Sequence, residues 1–577
     1  MFRFLKKSGT FYYPGQEIPL PEMMTAADKN SFSSLESGKN RLLFTAGVFL
    51  VSFGILCFRL FNVALNGEII EEARRAPVGV HALNIKMKRA DITDRNGVIL
   101  ATSLPSADLY AEVDKIKNPE MIAAALVQTL PDLKYKPLLK KLKSGRNFVY
   151  IKRALTPKEQ YEVNRLGFPA LNFQHVESRV YPQGALFAHI VGATDIDGKG
   201  IAGVEKAFNE RLSVQKEPVR LSLDAGIQDT VRLALKESVE KFNAEGAAAV
   251  LMNAKTGEVV ALVSLPDFDP NNLRQAKRKS LFNAATLGVY EVGSIMKLFN
   301  AAIGLETGKV KVSDTFDAAN PIILANYKIQ DEPKLRRVLS LPEILIHSSN
   351  VGAARIALNV GAEKQQEYLR RFGFFQPASL EIPERGHPLY PSKWREVNTA
   401  TAGYGYGVAV TPLHIAAATS ALVNGGVYHA PSLLFKRNTN EIIGERVISE
   451  KTSKIMRAIM RLVVTEGSGR RANVPGYEVG GKTGSAQKIA KGKYVKNSLR
   501  TSFVSAFPMD NPQYVLMVMM EAPQRIKETF NFNTAAWNAV PTAERIISAV
   551  APQLGITPRP YEPTQPAPYV KAALNAK

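Results

Sequence analysis

The sequence predicts an α+β fold: one antiparallel sheet with helices between its strands, behind a β-rich pedestal module and one N-terminal transmembrane helix. Three observations predict it. The run Leu42–Phe58 carries no charge and is flanked by Arg41 and Arg59. Strand-like runs at Ala247–Asn253 and Glu258–Ser264 are matched far downstream by Tyr477–Gly481 and Tyr514–Met520, with helical stretches around 295–307, 341–358 and 411–424 and a last helix at Ala543–Val550. Strands at both ends of a domain with helices between them describe a sheet packed by helices. Between the apolar run and the first of these strands, short strand-like pieces alternate with turns.

The apolar run is the short end of a spanning helix; Leu60, Phe61 and Val63 extend it if Arg59 snorkels to the interface. Some 40 residues precede it and no small-residue cleavage site follows, so it reads as an uncleaved anchor rather than a signal peptide. Lys39 and Arg41 before it and Arg59, Arg74 and Arg75 after it leave a shallow positive-inside bias, favouring a short cytoplasmic N-terminus. The expected order is a cytoplasmic segment 1–41, an anchor 42–63, a non-catalytic pedestal 64–218, a catalytic domain 219–556 and a Pro-rich tail 557–577.

The pedestal opens on Arg89–Ala101, where Asn96-Gly97 stands between apolar runs and predicts a hairpin with a type I′ turn, both central residues at positive φ. Arg179–Gly184 and the glycine-rich Gly192–Glu205 read as turns. Nothing in this segment converges as a catalytic site must.

Composition narrows the function. At 577 residues, with 45% hydrophobic and 22% charged residues, the chain is globular and longer than one domain. Its net charge of +22 is spread along the chain without a basic repeat or zinc-finger spacing, which argues against nucleic acid. A single cysteine, Cys57, excludes an internal disulfide framework, and neither a HExxH pair nor a His–Cys cluster is present, so no metal is expected.

Ser-x-x-Lys occurs at Ser213, Ser238, Ser294 and Ser485, and Lys-[Ser/Thr]-Gly at Lys7, Lys143, Lys255 and Lys482, so neither motif alone says much. Ser-x-Asn occurs once, as Ser348-Ser349-Asn350; only Ser294–Lys297 lies a plausible distance ahead of it and only Lys482-Thr483-Gly484 follows, which is the order of a serine acyl-transferase motif set. Ser294 then opens an apolar helix whose free N–H groups favour negative charge. Lys297 follows one turn along the same face. A serine hydroxyl needs a base to become a nucleophile, and a lysine serves only if burial or a second cation, such as Lys482, lowers its pKa.

With these motifs in order, the chain resembles a class B penicillin-binding protein, a membrane-anchored peptidoglycan D,D-transpeptidase. The likeness runs from the anchor to about Ala551 and includes Arg89–Gly97, Arg179–Glu205 and Leu223–Gln228. The wording of Asp195–Glu205 is similar to the septal, cell-division branch, and Trp537–Ala543 resembles the family's last strand and helix. Val292 departs from it, standing where relatives usually carry proline. The resemblance implies a penicillin-binding/β-lactamase-like transpeptidase domain without cofactor, in which Ser294 attacks the D-Ala-D-Ala end of a stem peptide and Lys297 takes its proton. It implies that Ser348 relays a proton, Asn350 positions Lys297, Lys482 and Thr483 (with Gly484 and Ser485) hold the terminal carboxylate, and the N–H groups of Ser294 and Ser485 form an oxyanion hole. An amine then resolves the acyl-enzyme, and β-lactams acylate the same serine. It further implies a bacterial inner-membrane location with the catalytic domain in the periplasm, and partners among divisome membrane proteins, including a SEDS-family glycosyltransferase. An elongation-type transpeptidase, a divisome scaffold and a β-lactam sensor stay open as alternatives.

Overall fold

A computed structural model describes residues 43–59 and 89–560 apart from 326, 439–441 and 491–492, together with 11–13, 16–18, 570 and 573–574. The chain divides into a unit 1–86 and a unit 87–577. Most of the expected cytoplasmic segment, the start of the pedestal up to residue 88 and most of the tail lie outside the described residues.

In the first unit, residues 43–59 form one helix whose large apolar side chains, Phe44, Phe49 and Leu50 among them, are mostly exposed. Among the described residues no helix is long and apolar enough to cross a membrane. Seventeen helical residues reach about 26 Å at 1.5 Å each, short of a hydrocarbon core of about 30 Å. The expected extension through Leu60–Val63 falls on residues outside the description.

In the second unit, the pedestal is mixed rather than β-rich. The strand Ile99–Glu112 pairs antiparallel with Phe148–Leu155 and Leu171–Val180. Helices Pro119–Thr129, Tyr135–Leu142 and Pro157–Arg165 cover it, closing a small core of Leu109, Leu126, Leu130 and Ile151. Two of these helices open on Asn118 and Thr156, whose side chains accept the free N–H groups of the first turn.

The Asn96-Gly97 hairpin forms, with Ile92–Thr93 against Ile99–Ala101, but not as a type I′ turn. Only Gly97 of the pair has positive φ (88°). The buried Asp94 side chain accepts the N–H groups of Asn96 and Val98 at 2.8 Å each, and this local bonding sets the turn instead. Its other oxygen takes the N–H of Ala225 at 3.0 Å, and Arg95 N–H donates to Leu223 O at 2.9 Å. The hairpin therefore grips the entry to the catalytic part.

That part is built on a five-stranded antiparallel sheet: β1 (Gly246–Asn253), β2 (Val259–Leu265), β3 (Gly480–Ala490), β4 (Lys493–Phe507) and β5 (Tyr514–Glu521), in the order β2-β1-β5-β4-β3. Strands drawn from both ends of the domain thus pair as the sequence predicts, with Ala249 opposite Val518 and Phe503 opposite both Val518 and Thr483. β1 and β5 are buried on both faces, which explains their unbroken apolar runs. Helices α1 (Ala225–Lys241) and α6 (Ala539–Gln553) cover one face; α2 (Met296–Glu306), α3 (Asn350–Val360), α4 (Pro412–Val423) and α5 (Glu450–Thr465) fill the other side. The expected strand at Tyr477 starts later, at Gly480, because Glu478 turns the backbone with φ at 42°.

Candidate active site

Three elements meet at the edge of the sheet. The short turn Gly293–Ile295 leads into α2, so Ser294 stands at the entrance of a helix and Lys297 one turn inside it. A helix predicted to run unbroken over 341–358 is instead two, Leu341–Ile346 and α3. The break falls at Ser348, held at φ 58°, and Ser349 caps α3 by accepting the N–H of Gly352 at 2.9 Å. The third element is β3, which carries Lys482, Thr483, Gly484 and Ser485 along the sheet edge.

These elements touch closely. The carbonyl of Val292 packs where a Cβ on Gly484 would stand only 2.4 Å away, and Ser485 O lies 2.9 Å from the corresponding point on Gly293. The nucleophile turn and β3 thus run backbone against backbone. Val292 adopts φ −95° and ψ 0°, an ordinary turn geometry that does not require proline.

Lys297 is the hub. Its Nζ donates to Ser294 Oγ at 3.0 Å, to Ser348 O at 2.5 Å, to Ser348 Oγ at 3.2 Å and to Asn350 Oδ1 at 2.7 Å. Lys482 Nζ reaches the same Ser348 Oγ at 3.0 Å and Thr483 O at 3.1 Å. Both lysines are almost fully buried, at 1% and 0% exposed. Burial pushes Lys297 well below the ordinary lysine range, and the charge of Lys482 adds to this. Burial alone brings Lys482 down to about 7. A lysine amine whose proton is loosened by burial and a neighbouring cation, 3.0 Å from a serine hydroxyl, is placed to take that hydroxyl's proton.

All eight residues expected from the sequence lie on these elements, and Ser294, Lys297, Ser348, Asn350, Lys482 and Thr483 form one connected network. Ser485 stands slightly apart: its Oγ accepts the N–H of Ala535 at 3.2 Å. Two further residues join the network unannounced by any motif. Asp331, 6% exposed, takes the hydroxyl of Ser349 at 2.6 Å and the N–H groups of Asn350 and Val351 at 2.5 and 3.2 Å. It clamps the Ser-Ser-Asn turn from behind. Ser468 bonds to Thr483 Oγ1 at 2.7 Å. Neither sits in a recognisable local pattern; Asp331 lies 18 residues before Ser349 and is brought in by the fold.

The penicillin binding protein transpeptidase domain model matches residues 247–541, and the penicillin-binding protein dimerisation domain model matches 84–237. The chain belongs to the penicillin-binding protein transpeptidase family. Relatives of this family include the probable peptidoglycan D,D-transpeptidase FtsI of Caulobacter vibrioides, 35% identical over 523 residues that cover 88% of each chain. The probable peptidoglycan D,D-transpeptidase PbpC of Pseudomonas aeruginosa is 33% identical, covering 78% of this chain and 84% of its own. Penicillin-binding protein 3 of Mycobacterium tuberculosis, solved with aztreonam, shares the fold at a TM-score of 0.65, with 24% identity over 82% of this chain and 98% of that one.

Proposed function

We propose that this penicillin-binding protein is a serine peptidoglycan D,D-transpeptidase that crosslinks stem peptides at the division septum and is acylated by β-lactams. The observation that carries the reading is the Lys297 hub, which joins Ser294, Ser348 and Asn350 at a lysine whose pKa burial lowers. In this reading neutral Lys297 removes the Ser294 proton as the hydroxyl attacks the D-Ala-D-Ala carbonyl. The developing oxyanion is met by the N–H groups of Ser294 and Ser485. Ser348, bonded to both lysines, passes the proton to the leaving D-alanine amine, and Asn350 keeps Lys297 in place. Lys482, Thr483 and Ser485 on β3 hold the substrate's terminal carboxylate, with Gly484 allowing close approach. An amine from a second strand then takes the acyl group from Ser294. Relatives named as FtsI in Caulobacter vibrioides and in Escherichia coli (28% identical) support the septal branch.

The domain limits follow the same reading: an anchor over 42–63 containing the helix 43–59, a pedestal over 64–218, a transpeptidase domain over 219–556 and a tail over 557–577. One anchor places the catalytic domain in the periplasm of a bacterial inner membrane, beside a SEDS-family glycosyltransferase and other divisome proteins. Fluorescent penicillin tests the chemistry: the protein is labelled covalently, and label surviving in Ser294→Ala refutes the assignment. Depletion in cells tests the branch, with filaments expected; rounded cells point to elongation instead.

A further inference from the structure

The loop Gly403-Tyr-Gly-Tyr-Gly407 takes no part in the acyl transfer described above, yet it lies directly on the nucleophile's turn. Gly405 O accepts the N–H of Gly293 at 3.3 Å, and Tyr290–Glu291 pairs with Ala409–Val410 just beyond the loop. Three residues before Ser294, Glu291 is 9% exposed. Its carboxylate accepts the N–H of Gly407 at 2.7 Å and the phenol of Tyr494 at 3.1 Å. Among the described residues it forms no ion pair. The Tyr406 ring lies 6.0 Å from that of Tyr494 and 5.8 Å from that of Tyr404, each pair steeply inclined. Burial and the Glu291 charge both push the Tyr406 and Tyr494 phenols up, so they stay neutral donors.

A buried carboxylate met, among the described residues, by neutral donors alone is a costly arrangement unless a ligand brings the positive charge. Tyrosine rings beside it add the electron-rich faces that attract ammonium groups. A carboxylate ligand is repelled there, which separates this place from the carboxylate-holding end at Lys482 and Thr483. We propose that Glu291, with Tyr406 and Tyr494, is the subsite that draws in the primary ammonium group of the acceptor strand behind the nucleophile's turn; the carboxylate takes one proton, the free amine attacks the acyl carbon, and the amine's next proton goes to the Ser294 oxygen as the ester bond breaks. This rests on the transpeptidase reading, which requires an amine acceptor. A free amine on the donor peptide offers the same chemistry, and the test separates the two sources.

The full-length enzyme is acylated with a thioester donor, and partition of the acyl-enzyme is followed against D-alaninamide and against D-lactamide, its neutral hydroxyl counterpart. In Glu291→Gln the half-saturating D-alaninamide concentration rises about tenfold, while that of D-lactamide moves less than about twofold. Tyr494→Leu, at a half-exposed position that tolerates change, shifts in the same direction by a smaller factor. Equal shifts for both acceptors, or none, overturn the proposal. So does an effect seen only in acylation, by donors carrying a free rather than an acetylated amine, which assigns the ammonium to the donor. A wild-type enzyme that forms no acyl-enzyme from the thioester defeats the transpeptidase reading itself, and that step is recorded first.

Discussion

Lys482 donates to the hydroxyl of Ser348 over 3.0 Å, and Lys297 reaches the same oxygen from the opposite element at 3.2 Å. Two buried amines therefore share one acceptor, and the nearby Lys482 charge makes Lys297 easier to deprotonate. The charge of Lys482 is the second cause, after burial, of the lowered Lys297 pKa. Lys482→Gln removes that cation, so Lys297 keeps its proton to higher pH. Acylation by a chromogenic cephalosporin is expected to fall, with its pH profile displaced to the alkaline side. A profile that keeps its midpoint would show that Lys482 acts on substrate alone.

The same burial makes Lys482 a destabilising charge. Its folded pKa of about 7 lies below the ordinary value of 10.5, so the folded state binds that proton less tightly than the unfolded chain. The deficit is full below about pH 7 and disappears as pH rises toward 10.5, so this group makes the fold more stable with rising pH. Lys482→Met is expected to raise Tm while abolishing acylation, and to raise it more near about pH 6 than near about pH 9. Thermal unfolding at the two pH values decides; a lower Tm at both would mean that its hydrogen bonds outweigh its desolvation.

Asp331 stabilises the break at Ser348. Asp331→Ala leaves the Ser349 hydroxyl and two backbone N–H groups without their acceptor, each costing about 1–3 kcal/mol if it stays buried. Acylation is expected to drop by about tenfold or more as the Ser-Ser-Asn turn loosens, whereas Ser349→Ala, which removes one bond, loses less. Stopped-flow acylation with parallel unfolding curves separates the two effects. Equal rates in wild type and Asp331→Ala would remove Asp331 from the site.

Much of this was legible in the sequence, and the exceptions have physical causes. The motif order located Ser294, Ser348 and Lys482 because short polar patterns in apolar surroundings stand out, and the sheet was visible because β1 and β5 are buried on both faces. The break at Ser348 was hidden: apolar spacing runs through Leu345, Ile346, Val351 and Ala354 as in a continuous helix, and a left-handed serine leaves no compositional trace. Asp331 and Tyr494 were invisible for a different reason. Each acts through a contact made by the tertiary fold, between elements distant in the chain. The pedestal's helices were missed because their polar faces made the segment read as turns.

In the pedestal, Glu205 is fully buried between two arginines, with Arg89 Nε at 2.7 Å and Arg179 Nε at 2.6 Å. Arg89 also donates to Glu205 O at 2.8 Å and to Ser213 Oγ at 3.0 Å, so one guanidinium ties three segments together. Glu205→Ala strands two cations and is expected to cost about 3–5 kcal/mol. Denaturant unfolding followed by intrinsic fluorescence measures this; a loss under about 1 kcal/mol would mean that water replaces the carboxylate.

Gly405 offers a test of how tightly the tyrosine loop is seated on the nucleophile. Its φ is +98°, and a Cβ there would stand 1.9 Å from Gly293 O, with backbone rather than a flexible side chain in the way. Gly405→Ala must therefore push the loop and the Gly293–Ser294 turn apart, and a displacement of about 1 Å at a nucleophile costs on the order of a hundredfold in rate. Gly308, also at positive φ (67°), has no atom within 4 Å of its Cβ position and lies outside the site. Gly308→Ala supplies the backbone-strain control, expected to cost about 1 kcal/mol in stability without the catalytic loss. Acylation rates and Tm for both variants are measured together. Comparable acylation in the two would mean that the loop yields to the added methyl and does not hold Ser294 in place.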